Sequence, residues 1–298
     1  MEFITDRRIG TQTSILFIIA LVLLDVVLIG LIGSQPIGFI TFAAGLTMVA
    51  TLPLIGLIIY QLIGLARSGY SVDRNSLTIT WGPIRQIIPT ASIHRIMLGS
   101  EIEGRIKFRG WRWPGMMVGQ GEVPEAGLTL FYSTAPTAHQ LIVITSALSY
   151  AISPTDVVGF IEAIKARYEL GPTQDLPQVS VHPPLLDWPL WRDRLAYGLE
   201  LMGFGLCAAL FAFVCIRYPD LPTRLPLHYT ISGLADRFGP PSQSFILPLI
   251  GLLALIGNTL AGIAIYRRER MASYVLWGGT IFVQVLLWTG AINLLRTG

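Results

Sequence analysis

The sequence predicts a polytopic α-helical membrane protein of about five spans, with a β-rich domain inserted between them and closed by one amphipathic helix. Three observations predict it. The 298 residues are 52% hydrophobic and only 13% charged, where a soluble domain carries about 25% charged residues. The deficit is local: residues 14–66 hold a single charged side chain, Asp25, and residues 243–266 hold none. Between these stretches, residues 67–194 return to ordinary charge density and to strand-like alternation.

The first span is Ser14–Gly33, whose length matches the roughly 20 residues that cross a bilayer and exceeds a signal-peptide apolar core of about 7–15. A turn at Gly33-Ser34-Gln35-Pro36 leads to a second span, Gly38–Ala66, long enough to tilt or to kink near Pro53. The third covers Arg194–Ile216, the fourth Phe245–Tyr266 and the fifth Ala272–Leu294. Arg7 and Arg8, Arg67 and Arg74, Arg192 and Arg194, and the run Arg267-Arg268-Glu269-Arg270 all fall on one side of a five-span chain. That side is expected to be cytoplasmic, with the N-terminus on it and the C-terminus outside.

Cys207 and Cys215 lie about 12 Å apart along one helix at 1.5 Å per residue, too far for a disulfide, and read as core thiols. The net charge of +3 comes without any long Lys/Arg run, which argues against nucleic acid as a partner.

In the middle segment, Tyr70–Trp81 reads as a hairpin turning at Asp73-Arg74-Asn75-Ser76. Arg85–Pro89, Glu101–Arg109 (Ile102, Ile106 and Phe108 facing one way), Leu128–Ser133 and Gln140–Thr145 are further strands, the last two joined by a turn at Ala135-Pro136-Thr137. Ser149–Ile152 leads into a helix start in which Ser153 is the cap, Pro154 the first helical residue and Asp156 the third. Val157, Phe160, Ile161 and Ile164 form its apolar face, and it ends near Leu170-Gly171. Pro172, Pro177, Pro183, Pro184 and Pro189 make residues 172–192 a stiff linker. The organisation expected is therefore two spans in 1–66, a self-contained domain in 67–171, the linker, and three spans in 193–298.

Two resemblances follow from particular residues. Tyr70-Ser71-Val72, Leu77-Thr78-Ile79, Gly82, Ile88-Pro89 and Ile93 are similar to the bacterial pleckstrin-homology-like (PH-like) families. So are Gly110-Trp111-Arg112-Trp113-Pro114-Gly115, Tyr150-Ala151-Ile152-Ser153-Pro154 and Phe160-Ile161. The resemblance implies a bent seven-stranded sheet, a β-barrel or sandwich, closed by a C-terminal helix. Pro226-Leu227-His228-Tyr229, Gly233, Asp236 and Phe238-Gly239, followed by a two-helix apolar stretch, resemble the DUF1648 family, which places a DUF1648-like loop at 217–244. That domain also occurs in the immunity protein of a bacterial cannibalism toxin. Both families are bacterial, so the expected location is the bacterial cytoplasmic (inner) membrane.

Three groups of residues are candidate sites. Arg105, Lys107, Arg109 and Arg112, interleaved with Trp111 and Trp113, suit contact with lipid headgroups or a partner. Basic side chains are attracted to anionic lipid, and Trp favours the interface. The competing reading is a solvated strand face beside a core tryptophan. Asp25 sits in mid-span, where a carboxylate costs about 2.5–3.5 kcal/mol. It could serve a relay with Glu200, or make a plain polar contact with Asn258 or Gln284. Pro226, His228, Gly233, Asp236 and Gly239 read as loop-shaping residues.

No Walker loop, G-x-S-x-G, H-E-x-x-H or C-x-x-C occurs. No catalytic, cofactor-binding or metal site is expected, and no enzyme activity. The expectation is a non-catalytic membrane protein whose cytoplasmic domain contacts membrane lipids or a protein. The alternatives are an accessory or structural subunit of a larger membrane complex, and a small ion-coupled transporter or toxin-immunity-like protein.

Overall fold

β-branched and aromatic side chains alternating with polar ones between Gly69 and Ile152 commit that stretch to strands, while the apolar runs on either side have the length of spans. The computed structural model describes residues 1–174, 176–184, 187–229 and 235–296; of 226–229, 235–237 and 296 it describes the backbone alone. Five helices are long and apolar enough to cross a membrane, and the protein is a multi-pass membrane protein with a β domain inserted after the second helix.

In chain order the elements begin with a short strand β1 (Glu2–Phe3) and two long helices, α1 (Arg8–Ser34) and α2 (Phe39–Ala66). Nine strands follow: β2 (Gly69–Val72), β3 (Ser76–Trp81), β4 (Ile84–Pro89), β5 (Ile93–Leu98), β6 (Lys107–Trp113), β7 (Met116–Val123), β8 (Gly127–Ser133), β9 (Leu141–Thr145) and β10 (Ser149–Ile152). Next come α3 (Val157–Leu170), β11 (Val179–Val181), α4 (Arg194–Arg217), β12 (Leu225–Tyr229), β13 (Ala235–Gly239), α5 (Ile246–Ile265) and α6 (Arg270–Arg296). Contacts divide the chain into one unit of residues 1–22 with 53–186 and another of 23–52 with 187–298.

The first unit holds two sheets, ordered β1-β2-β3-β4-β11 and β5-β9-β10-β8-β7-β6, with β10 parallel to β8. Nine strands between Gly69 and Ile152 replace the seven implied by resemblance. The strand read at Glu101–Arg109 is displaced: Gly99–Glu101 is a 3-10 turn, and the strand begins at Lys107. Ile102, Ile106 and Phe108 do share one apolar cluster, which is why their spacing looked like a strand. β5 and β7 escaped the sequence reading; β7 carries glycines at 119 and 121 and a Met pair, which dilute its alternation.

The main core gathers Tyr70, Leu77, Ile79, Trp81, Tyr150 and Phe160, with Leu65 of α2 inside it and Phe3 and Leu62 packed against it. Phe3 meets Phe160 edge-on at 5.1 Å. The unit is thus wider than residues 67–171, because the N-terminal strand and the end of α2 supply core side chains. Inside the core, the Tyr70 hydroxyl donates to Tyr132 O at 2.7 Å and accepts from Ser153 N at 2.9 Å. Burial pushes this phenol up to about 12, while the bonds from Ser153 act the other way.

Two local expectations are corrected. Asp156, not Ser153, caps α3, accepting from Gly159 N at 2.9 Å. Ser153 instead accepts from Thr134 N at 2.8 Å, so its hydroxyl is already engaged with a neighbouring turn. The Pro-rich linker is not free throughout: Val179–Val181 is extended but pairs with the edge of β4, where Gln86 donates to Ser180 Oγ at 2.7 Å.

In the second unit α4, α5 and α6 pack through polar side chains, as helices in lipid do. Trp288 Nε1 donates to Leu206 O at 3.0 Å, and Gln284 Nε2 to Gly251 O at 2.8 Å. Cys207 and Cys215 are buried and carry free thiols.

Candidate functional site

The basic strand is the edge of its sheet, paired with β7 from Lys107↔Glu122 to Trp113↔Met116. Lys107, Arg109 and Arg112 are exposed, as is Arg105 just before the strand. Lys107 Nζ lies 3.3 Å from Glu122 Oε2, a solvent-exposed pair worth about 0–1 kcal/mol.

A flat strand would put residues 107, 109, 111 and 113 on one face. The structure keeps that alternation: Phe108 points to the opposite face of the sheet, meeting Phe131 at 5.3 Å in a second apolar cluster, whereas Trp111 and Trp113 pack against the main core and Lys107 and Arg109 stay exposed. Midway along the strand Gly110 pairs with Gly119. Their φ values are 155° and 156°, and a Cβ on Gly119 would stand 2.7 Å from the Gly110 Cα and 2.5 Å from Arg109 O. Two glycines let the strands approach closely at this point.

The tip of this hairpin rests on the start of α1. Thr13 Oγ1 donates to Pro114 O at 3.3 Å, and a Cβ on Gly10 would be 2.9 Å from Gly115 O. Trp113 meets Phe17 edge-on with ring centroids 5.1 Å apart, and stacks on Trp111 at 5.8 Å. The two tryptophans therefore join the β domain to the first span rather than projecting freely, and Phe17, in contact with Trp113, was not singled out from the sequence.

The intramembrane polar residues form separate pairs. Asp25 accepts from Thr51 Oγ1 at 2.8 Å, so its partner is on α2 and is neither Asn258 nor Gln284. Glu200 accepts from Thr259 Oγ1 at 2.8 Å, and Asn258 donates to Thr280 Oγ1 at 2.9 Å. Asp25 and Glu200 thus take their bonds from threonines of different helices.

Of the loop-shaping residues, Gly233 and the side chains of Pro226, His228 and Asp236 lie outside what is described. The backbone of β12 pairs with β13 from Leu225↔Gly239 to Tyr229↔Ala235, with irregular register near His228.

A further polar centre went unread in the sequence. Asp193 caps α4, accepting from Leu195 N at 3.0 Å and Ala196 N at 3.2 Å. Its other oxygen takes Arg270 at 2.8 Å together with the hydroxyls of Tyr266 and Tyr274. Burial works to raise its pKa, but the bonds from Tyr266, Tyr274, Ala196 and Arg270 overcome this and hold it well below the usual carboxylate range. An Asp directly before an apolar run is a helix-start signal, masked here by the flanking Arg192 and Arg194.

Comparison with known families agrees with this division. Residues 68–168 match the model of the bacterial PH domain, and residues 205–252 match that of the domain of unknown function DUF1648. No curated protein and no solved structure matches the chain.

Proposed function

We propose that this is a non-catalytic membrane protein whose PH-like domain reads the cytoplasmic membrane face, with anionic lipid headgroups meeting the exposed basic residues of β6. The observation that carries this is the contact of Trp113 with Phe17. Phe17 lies three residues, about 5 Å at 1.5 Å per residue, beyond the start of the apolar run at Ser14. The hairpin tip is thereby held at bilayer-surface depth, where Trp is favoured and each nearby Arg or Lys contributes about 1 kcal/mol toward anionic lipid.

The arginine groups near the span ends support a cytoplasmic N-terminus and β domain, with the far end of the fifth span outside, in the bacterial inner membrane. A second reading, an accessory subunit contacting a protein, is favoured by one feature: among the described residues β6 has strand pairing on one side only, and such an edge can accept another strand. Ion-coupled transport has less support, since Asp25 and Glu200 are held in separate pairs. Toxin immunity rests on the DUF1648 similarity alone.

The test is photo-crosslinking of the full chain in nanodiscs from headgroup-labelled phosphatidylglycerol or phosphatidylcholine. The lipid reading expects crosslinks in residues 105–113 from the anionic lipid, lost in a triple Arg105→Gln, Lys107→Gln, Arg109→Gln variant. Equal labelling by both lipids, with a co-purifying protein lost in the same variant, would favour the protein reading.

A further inference from the structure

β6 borders two grooves of different character. One, of about 460 Å³, is lined by Arg105 and Lys107 but also by Glu122 and Glu125, so its charges offset. The other, of about 340 Å³, lies between the β6–β7 turn and the turn after β8. The register Met117↔Ser133 brings those two turns to the same end of the sheet. Arg112, Thr134 and Thr137 line this groove among mainly apolar residues such as Trp113, Met116 and Met117, with no carboxylate.

The far wall is held in place before any ligand arrives. Ala135 N donates to Ser133 Oγ at 3.2 Å, Gln140 Nε2 donates to Ala135 O at 2.8 Å, and Thr134 N donates to Ser153 Oγ at 2.8 Å. The near wall is the turn that abuts Gly10 and Thr13 at the start of α1. A guanidinium that lines an acid-free groove together with the Thr137 hydroxyl has the chemistry of a phosphate seat, since Arg donates in a fork that fits phosphate oxygens. The neighbouring groove, whose two carboxylates offset its two cations, has no net charge to draw the same group.

We propose that the Arg112–Thr137 groove binds the headgroup phosphate of one anionic phospholipid drawn from the adjacent leaflet. This rests on the membrane-face reading of β6 and adds to it a discrete seat, apart from the diffuse attraction of Arg105, Lys107 and Arg109.

The experiment is native mass spectrometry of the full chain in mild detergent with short-chain phosphatidylglycerol or phosphatidylcholine. The expected result is one phosphatidylglycerol retained in preference to phosphatidylcholine. Arg112→Gln should lower retention about five-fold, as loss of one near-surface cation predicts. Thr137→Val, which keeps the side-chain shape, should lower it too, while Arg112→Lys keeps part of it. The triple Arg105→Gln, Lys107→Gln, Arg109→Gln variant should retain the bound lipid. Loss in the triple variant with full retention in Arg112→Gln and Thr137→Val overturns the groove and leaves the strand reading standing. No preference between the lipids in the unaltered chain overturns both. Displacement of the lipid by micromolar inorganic phosphate overturns the assignment to a lipid headgroup in favour of free phosphate.

Discussion

The Trp113 ring meets the Phe17 ring edge-on, with centroids 5.1 Å apart and planes at 81°. This contact ties a β-hairpin of the PH-like domain to a residue within the first span's apolar run. It fixes where the alternating arginines and tryptophans stand against the first apolar helix.

The first prediction concerns that contact. Edge-to-face aromatic pairs are worth about 0.5–1.5 kcal/mol beyond burial. A double-mutant cycle of Trp113→Leu and Phe17→Leu, read by thermal unfolding in detergent, should return a coupling of that size. Additive effects would mean that the rings merely lie near each other.

The close approach in the hairpin gives a second test. Gly119→Ala should lower the melting temperature and loosen the β6–β7 pairing, because the added Cβ would lie 2.5 Å from Arg109 O. Gly127→Ala is the control: its φ of 69° brings a similar backbone penalty, but a Cβ there meets nothing within 4 Å. The Gly119 variant should be the more damaging, and parity between the two would remove the steric argument.

Stability should fall at alkaline pH. The Tyr70 phenol titrates near 12 when folded and near 10 when free. The native state therefore binds its proton more tightly than the unfolded chain does. Its contribution is complete below pH 10 and is lost as pH rises toward 12. Tyr70→Phe should lower stability at neutral pH, since the buried Ser153 N–H and Tyr132 C=O lose a partner, at about 1–3 kcal/mol for an unsatisfied group. It should also flatten the alkaline decline, measured as melting temperature against pH.

Asp193 should matter more than any other charge in its unit. Removing its charge in Asp193→Asn weakens the hold on Arg270, Tyr266 and Tyr274, and charge-assisted hydrogen bonds contribute about 1.5–3 kcal/mol. Because its pKa lies below the usual range, the carboxylate's contribution is present above the ordinary carboxylate pKa and is lost only in stronger acid. Melting in detergent should drop by several degrees at pH 7 in the variant; an unchanged midpoint would mean that the cluster carries no net stability.

How much of this was legible depended on whether a signal was local. Spans, the β2–β3 hairpin and the amphipathic face of α3 follow from periodicity and length, and each stands within a few residues of where the sequence put it. The burial of Trp111 and Trp113 beside the exposed Lys107 and Arg109 on one strand face was not legible, because local alternation does not say how far along an edge strand the core extends. The partner of Asp25 was equally hidden: any polar residue on any neighbouring span could have served, and Thr51 was one of many. Asp193 had a local signature, the cap position, but its two arginine neighbours read as a topology signal instead. The groove beside Arg112 exists only because the turns after β6 and β8 share one end of the sheet.

The central claim, that β6 lies on an anionic membrane surface, is tested most directly by hydrogen exchange of the full chain in nanodiscs. Residues 107–113 should exchange more slowly in phosphatidylglycerol than in phosphatidylcholine. The difference should shrink at high salt, because charges beyond about 8 Å are screened at physiological ionic strength. Identical exchange in the two lipids, at low and high salt alike, would contradict it.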